Sequence, residues 1–343
     1  MTQTESPAAA TRPEPGGRPG ALRRALDVVG VQNLSLIVAL AVLCAVIGSQ
    51  NSNFFLIENV KTIGTTVAIV GILAVVQTVV MLLGGLDISV GSAAGLTSVV
   101  SAMVFTSASS AAFGILVGLA VGIAVGVLNG VVIVYGRVNA VIATLATYSA
   151  LRGLANLISN GRAQGYTGTD STFVFIARGS GLGIPILVWV LIIVALLVHL
   201  MLRYTDIGRN IYAIGGNPTA ARLAGININR YVVGCYLLAG FVAAIAGILL
   251  TARTGSGQPT SGSQGLELQS ITAAALGGVA LQGGKGGISG TVIAVILLGV
   301  LQNGLTILNV NSFWQDIAQG ALLVVAVVIQ QRRRGLRAFG LPR

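Results

Sequence analysis

The chain has 343 residues, 54% of them hydrophobic and 8% charged, with a mean hydropathy of +0.89. Soluble chains carry about 25% charged residues, so 20 Lys+Arg and 9 Asp+Glu cannot coat a globular surface of this size, and they are too few for a disordered chain. What remains is a polytopic membrane protein. With only 5% aromatic residues but 47 glycines, it reads as an all-α bundle of closely packed helices rather than a barrel with aromatic girdles.

In chain order, residues 1–30 are polar and Pro/Ala/Gly-rich and read as a disordered cytoplasmic tail. The tail ends in a basic stretch before an apolar run, as a cleaved signal peptide also would; the run is read here as a retained anchor and the first helix. A spanning helix needs about 20 mostly apolar residues, and residues 31–330 hold ten such runs. They are Asn33–Ser49, Thr62–Leu83, Ile88–Phe105, Ala111–Tyr135, Asn139–Ile158, Ile184–Leu202, Tyr231–Ala252, Gln269–Gln282, Ile288–Leu308 and Phe313–Gln330. The eighth is short and interrupted by Gly277 and Gly278. A basic cytoplasmic tail, 331–343, follows.

The formal charge is +11, but the cations are scattered between apolar runs as topology signals, so no nucleic-acid partner is expected. With ten spans, 15 basic residues fall on one face and five on the other, which predicts both termini in the cytoplasm. Cys44 and Cys235 sit inside apolar runs and read as small buried hydrophobes.

Displacing the sequence by 173 residues lays Gly126-Val127-Leu128-Asn129-Gly130 over Gly299-Val300-Leu301-Gln302-Asn303-Gly304 with one insertion, and spans two to five over spans seven to ten. Paired spans five apart have opposite orientations, which predicts an inverted-topology repeat with the transport path near the repeat interface.

Leu83-Gly84-Gly85-Leu86-Asp87-Ile88-Ser89 places a carboxylate among glycines and small hydroxyls at membrane depth. Asp87 either caps the following helix or serves a conduit or gate. The polar loop 203–230 contains Gly216-Asn217-Pro218-Thr219-Ala220-Ala221-Arg222-Leu223-Ala224-Gly225. Asn217 before Pro218 is a helix start and Gly225 a stop, predicting a short helix with an Ala-rich surface suited to a partner's groove.

Gln282-Gly283-Gly284-Lys285-Gly286 lacks the spacing and the Ser/Thr of a phosphate loop and reads as a tight cytoplasmic turn. Gly287-Ile288-Ser289-Gly290 resembles a serine nucleophile motif, but the single histidine, His199, gives it no base. One His and no Cys/His cluster support neither a metal site nor a bound cofactor. Gln77, Asn129, Asn156, Gln302, Asn303 and Gln319 outnumber the acids inside spans, which favours neutral polar solutes over ions.

The Gly84–Ser92 run, Ala143-Thr144-Leu145 through Arg152-Gly153-Leu154, Gly216 through Asn227, Gln258-Pro259-Thr260 to Glu267-Leu268, Gly277-Gly278 to Gly286 and Asn303-Gly304-Leu305 together resemble the permease subunits of ribose/galactose/xylose-type ABC importers. The resemblance covers Asn33 to Gln330. It implies a monosaccharide pore without its own ATPase motif, and hence no enzyme. It implies three protein partners: a cytoplasmic ABC ATPase that hydrolyses ATP, an extracytoplasmic sugar-binding protein and a second permease copy, all around a chain embedded in lipid. It also implies that Gly216 to Gly225 is the ATPase-coupling segment. Gly84, Gly85, Asp87, Ser89, Asn129, Gln269 and Asn303 are the candidates for the translocation path or its gate. The alternatives on the same fold are a nucleoside, an autoinducer-like sugar derivative or a branched-chain amino acid as cargo; those of other classes are a stand-alone channel or secondary carrier, and an intramembrane enzyme.

Overall fold

Thirteen α-helices, one short 3-10 helix (Ser52–Phe55) and one two-residue-per-strand hairpin account for the regular structure of the computed structural model, which describes residues 31–260 and 262–333. The expected tail 1–30 and residues from 334 onward lie outside the described residues. The helices are α1 (Val31–Gln50), α2 (Ile57–Leu82), α3 (Val90–Ala108), α4 (Ala111–Val134), α5 (Ala140–Ser159), α6 (Ser171–Arg178), α7 (Ile186–Tyr204), α8 (Asp206–Gly216), α9 (Pro218–Leu223), α10 (Ile228–Thr254), α11 (Leu266–Leu276), α12 (Ile288–Ile307) and α13 (Ser312–Arg333). Strands β1 (Ser180–Gly181) and β2 (Ile184–Pro185) pair antiparallel between α6 and α7.

Among the described residues, eight helices are long and apolar enough to span a bilayer: α1 to α5, α7, α10 and α12. The eighth run forms α11, only 11 residues long. It stops at Leu276 rather than continuing to Gln282 because Gly278, at φ +91°, turns the chain. Gly278 N–H bonds Ala275 O and Val279 N–H bonds Ala274 O, both at 3.0 Å, a double closure that satisfies a helix's last carbonyls. The tenth run is the 22-residue α13.

α2 is buried on all sides from Val67 to Leu82, as expected of a helix that is apolar around its whole circumference. It is enclosed by α7, α10, α11 and α12. α4 lies along α10 through Gly118, Gly122, Gly126 and Gly130, spaced four apart on one face. A Cβ at Gly122 would stand 2.5 Å from Gly240 O, and one at Gly130 2.8 Å from Val233 Cα. Small residues at this spacing let two backbones touch, which replaces the hydrophobic drive that helices lack in lipid.

The contacts carry an internal symmetry. Adding 173 to the bounds of α2, α3, α4 and α5 gives 230–255, 263–281, 284–307 and 313–332, close to α10, α11, α12 and α13. No inserted residue is needed in this register, so Asn129 corresponds to Gln302. Exchanging the two sets leaves the neighbour relations intact: α4 on α10 and α12 on α2, α3 on α10 and α11 on α2, α3 on α4 and α11 on α12, α3 on α5 and α11 on α13. Five long helices, α2 to α5 and α7, separate the start of one set from the start of the other, and an odd number of crossings inverts the second set.

Candidate functional site

The segment between α2 and α3 is a buried polar hub. α2 ends at Leu82, and Gly84, φ +92°, turns the chain after it, with Gly84 N–H on Met81 O at 2.9 Å and Gly85 N–H on Val80 O at 3.0 Å. Asp87 is 2% exposed. Its Oδ1 accepts from Ser89 N–H at 2.8 Å and from Ser89 Oγ at 2.6 Å. Asn129 of α4 donates from Nδ2 to Ser89 Oγ at 2.8 Å. The Gln77 amide of α2 donates to Asp87 O at 3.1 Å and accepts from Asp87 N–H at 3.3 Å. Tyr236 of α10 and Thr144 of α5 both donate to Leu86 O, at 3.1 and 3.3 Å.

Four helices thus hold one turn. The capping expected of Asp87 takes a different form: it braces Ser89, the residue just before α3, instead of bonding first-turn amides, because α3 begins three residues after Asp87. Gly84, Gly85, Asp87, Ser89 and Asn129 come together here: Asp87, Ser89 and Asn129 are buried, Gly85 is half-buried and Gly84 is exposed.

Gln269 and Asn303 lie elsewhere. Asn303 of α12 and Asn59 of α2 form a reciprocal amide pair at 2.9 and 3.1 Å. Gln269 of α11 borders a cavity of about 370 Å³ lined also by Thr66, Ile69 and Val70 of α2, Leu250, Arg253 and Thr254 of α10, Gly262, Gln264 and Leu266, and Gln302 of α12. At ~30 Å³ per water it has room for about a dozen waters or one small polar solute. A second, smaller hollow shares Thr66, Val70, Gln269 and Gln302 and adds Gln315, Asp316 and Gln319 of α13. Gln269 Nε2 donates to Gln319 Oε1 at 3.3 Å, and Arg253 Nη2 to Thr66 Oγ1 at 2.9 Å. The walls come from both halves of the repeat, and their amides and hydroxyls offer donors and acceptors together.

By sequence Gln302 and Gln319 are only polar span residues, Arg253 is only one of the five basic residues on the less basic face, and Thr66 and Gln264 carry no signal. Nothing in one chain's pattern brings positions 66, 253, 264 and 302 to one wall. Glu267, 4% exposed, lies at the start of α11 with Oε1 on Gly265 N–H at 3.3 Å and its carboxylate against Gly91 of α3. Arg152 of α5 stacks 4.8 Å over the Tyr148 ring.

The loop 203–230 folds as two short helices. Asn217 precedes Pro218, and its Oδ1 accepts Ala220 N–H at 3.0 Å. Gly225, φ +83°, ends the turn, with Gly225 N–H on Arg222 O at 3.0 Å and Ile226 N–H on Ala221 O at 3.1 Å. Gly216, Asn217, Pro218, Ala220, Arg222, Leu223 and Ala224 are exposed, Leu223 at 85%. Ala221, grouped with the surface residues on sequence, faces inward at 3%, since so short a helix still rests one face on the protein.

No solved structure matches the chain. It is 41% identical over 300 residues to the ribose import permease protein RbsC of Escherichia coli (strain K12), covering 87% of this chain and 93% of the relative. It is 39% identical over 303 residues to RbsC of Bacillus subtilis (strain 168), covering 88% and 94%, and 36% identical over 307 residues to the L-arabinose ABC transporter permease protein AraH of Azospirillum brasilense, covering 90% of each. Residues 59–327 match the family model described as branched-chain amino acid transport system / permease component. An inverted pair of helix sets, a polar chamber between them and a match across most of the length place the chain in that family of membrane permease components.

Proposed function

We propose that this chain is the membrane subunit of an ABC importer that carries a monosaccharide such as ribose or arabinose into the cell. The 41% identity to a ribose import permease over 93% of that relative carries the reading. The polar chamber supports a polyhydroxylated cargo, because Gln264, Gln269, Gln302 and Thr66 suit hydroxyl groups better than an aliphatic side chain.

In this reading the working assembly pairs two permease copies in the inner membrane, takes sugar from an extracytoplasmic binding protein and has both termini in the cytoplasm. A separate ATPase hydrolyses ATP. The exposed face of α9, with Arg222 and Leu223 at its tip, seats in that ATPase, whose closure moves the permease as a rigid body. The Asp87 hub holds the start of α3 as a gate element, while the solute passes Gln269. Asn303 steadies α12 against α2 through Asn59. The three segments 1–30, 31–330 and 331–343 serve as a tail, the permease domain and a second, basic tail.

Proteoliposomes containing the permease, its ATPase and its binding protein should accumulate labelled ribose or arabinose only with ATP and binding protein present. Uptake by the permease alone would refute the ABC reading. Ala220→Glu with Leu223→Glu should abolish the stimulation of ATPase activity by loaded binding protein, and retained stimulation would refute the role given to α9.

A further inference from the structure

The glycine-rich turn Gln282-Gly283-Gly284-Lys285-Gly286, which fits no phosphate site, makes backbone contacts that bear on how α9 is linked to the membrane helices. Three segments far apart in sequence meet there: the end of α2, the end of α8 and this turn between α11 and α12. Leu82 O, one of the carbonyls left over where α2 stops, accepts Gly284 N–H at 2.8 Å. Gly215 in the last turn of α8 packs so closely that a Cβ on it would collide with Leu82 O and stand 2.6 Å from Gly284 N.

Gly283, φ +93°, leaves its Cβ direction 2.9 Å from the Cα atoms of both Gly215 and Gly84, and Gly284, φ +70°, leaves its own 2.7 Å from Gly216 Cα. Tyr212 of α8 donates from its hydroxyl to Gly286 O at 2.9 Å. Burial raises the Tyr212 phenol above its ordinary value, with Arg203 opposing; the phenol carries its donor proton at neutral pH even without that shift.

We propose that this stack of glycine backbones is the joint through which displacement of α9 reaches both halves of the repeat, with Gly215, Gly283, Gly284 and Tyr212 as positioning residues for coupled transport. The inference rests on the reading of α9 as the ATPase-coupling helix. Side chains between two elements give by rotamer changes, whereas close contacts between backbones lack that freedom and so transmit a shift more directly. α9 follows α8 after the single residue Asn217, so α9 cannot move far without carrying Gly215 and Gly216. Those two press on the Leu82–Gly84 end of α2, three residues before Asp87, and on the turn that follows α11, the helix carrying Gln269. One push from below thus reaches the buried hub of the first half and the chamber wall of the second.

The test uses the assembled complex with ATPase and binding protein, and reads basal ATPase activity, its stimulation by loaded binding protein, co-purification of the subunits and thermal stability. Tyr212→Phe should lower the stimulation about threefold, with basal activity, co-purification and thermal stability held; Gly215→Ala, whose methyl must push Leu82 O and Gly284 N away, should lower the stimulation per assembled complex about tenfold and lower thermal stability as well. Lys285→Ala, in the same turn with its side chain in solvent, should leave stimulation at the wild-type level. If Gly215→Ala fails to assemble, Tyr212→Phe decides. Wild-type stimulation in both variants, while Ala220→Glu with Leu223→Glu abolishes it, would overturn the joint and leave the α9 reading standing. Retained stimulation in that double variant would remove both. Loss of stimulation only in proportion to lost assembly or stability, or a loss in Lys285→Ala as large as in Tyr212→Phe, would also overturn the joint.

Discussion

Asp87 and Ser89 show what one carboxylate does when it is closed off from water. Asp87 Oδ1 takes both Ser89 donors, and Asn129 fills the remaining side of the Ser89 hydroxyl. An asparagine can still accept at Oδ1, whereas leucine strands the Ser89 amide in a dry interior, which costs about 1–3 kcal/mol for a buried unsatisfied donor. Asp87→Asn should therefore assemble normally and keep most transport, and Asp87→Leu should lower the melting temperature and yield of the purified permease. Transport abolished in a stable, well-assembled Asp87→Asn protein would instead assign the charge itself a role in transport. The sequence made this residue conspicuous, because an acid among Gly84, Gly85 and Ser89 at membrane depth needs a partner. It did not reveal the partners on α2, α4, α5 and α10, since Gln77, Asn129, Thr144 and Tyr236 are unremarkable within their own helices.

At the scale of elements, hydropathy located every long helix to within about five residues, because a span must be apolar over its whole length. The ends follow from local chemistry as well: Asn217 with Pro218 starts α9, and Gly225 and Gly278 stop α9 and α11. Helix pairing was not legible in the same way. The Gly118–Gly130 row on α4 could face lipid or any helix by pattern alone, and the structure sets it on α10. Gly126→Val would drive a side chain into the Tyr236 and Leu237 backbone, so it should abolish recovery of folded, monodisperse protein. Gly153→Ala, with nothing within 4 Å of its added methyl, should be neutral in the same size-exclusion assay. The segment 159–183 offered no motif, yet Asp170 caps α6 through Thr172 and Phe173 N–H at 2.9 and 3.0 Å, and Phe173 packs edge-on against Phe105.

At the scale of the whole molecule, the proposed solute path runs through the chamber between the helix sets. Gln269→Ala and Gln302→Ala remove amides from its wall without touching the Asp87 hub or α9. Each should raise the half-saturating concentration of loaded binding protein or lower the maximal uptake rate by about tenfold, as loss of one to two hydrogen bonds to a solute implies. ATPase assembly should be unaffected, and uptake kinetics in proteoliposomes provide the check; unchanged kinetics in both variants would place the solute path outside this chamber.

By itself the sequence determined that this chain is a bundle of membrane helices and where those helices lie, because lipid imposes length, apolarity and internally satisfied backbones on each span separately; it suggested the repeat, which the paired helix contacts carry without the inserted residue. Its motifs also carried the resemblance to sugar importer permeases. Only the tertiary structure decided which groups meet: Asp87 closed within protein, Asn303 paired with Asn59, Gln269 on a chamber wall with Arg253 and Gln302, and Gly84, Gly215, Gly216, Gly283 and Gly284 from three segments in backbone contact. Those outcomes depend on contacts between residues as much as 244 positions apart, and hydrogen bonding and close packing across such distances are fixed by how helices cross.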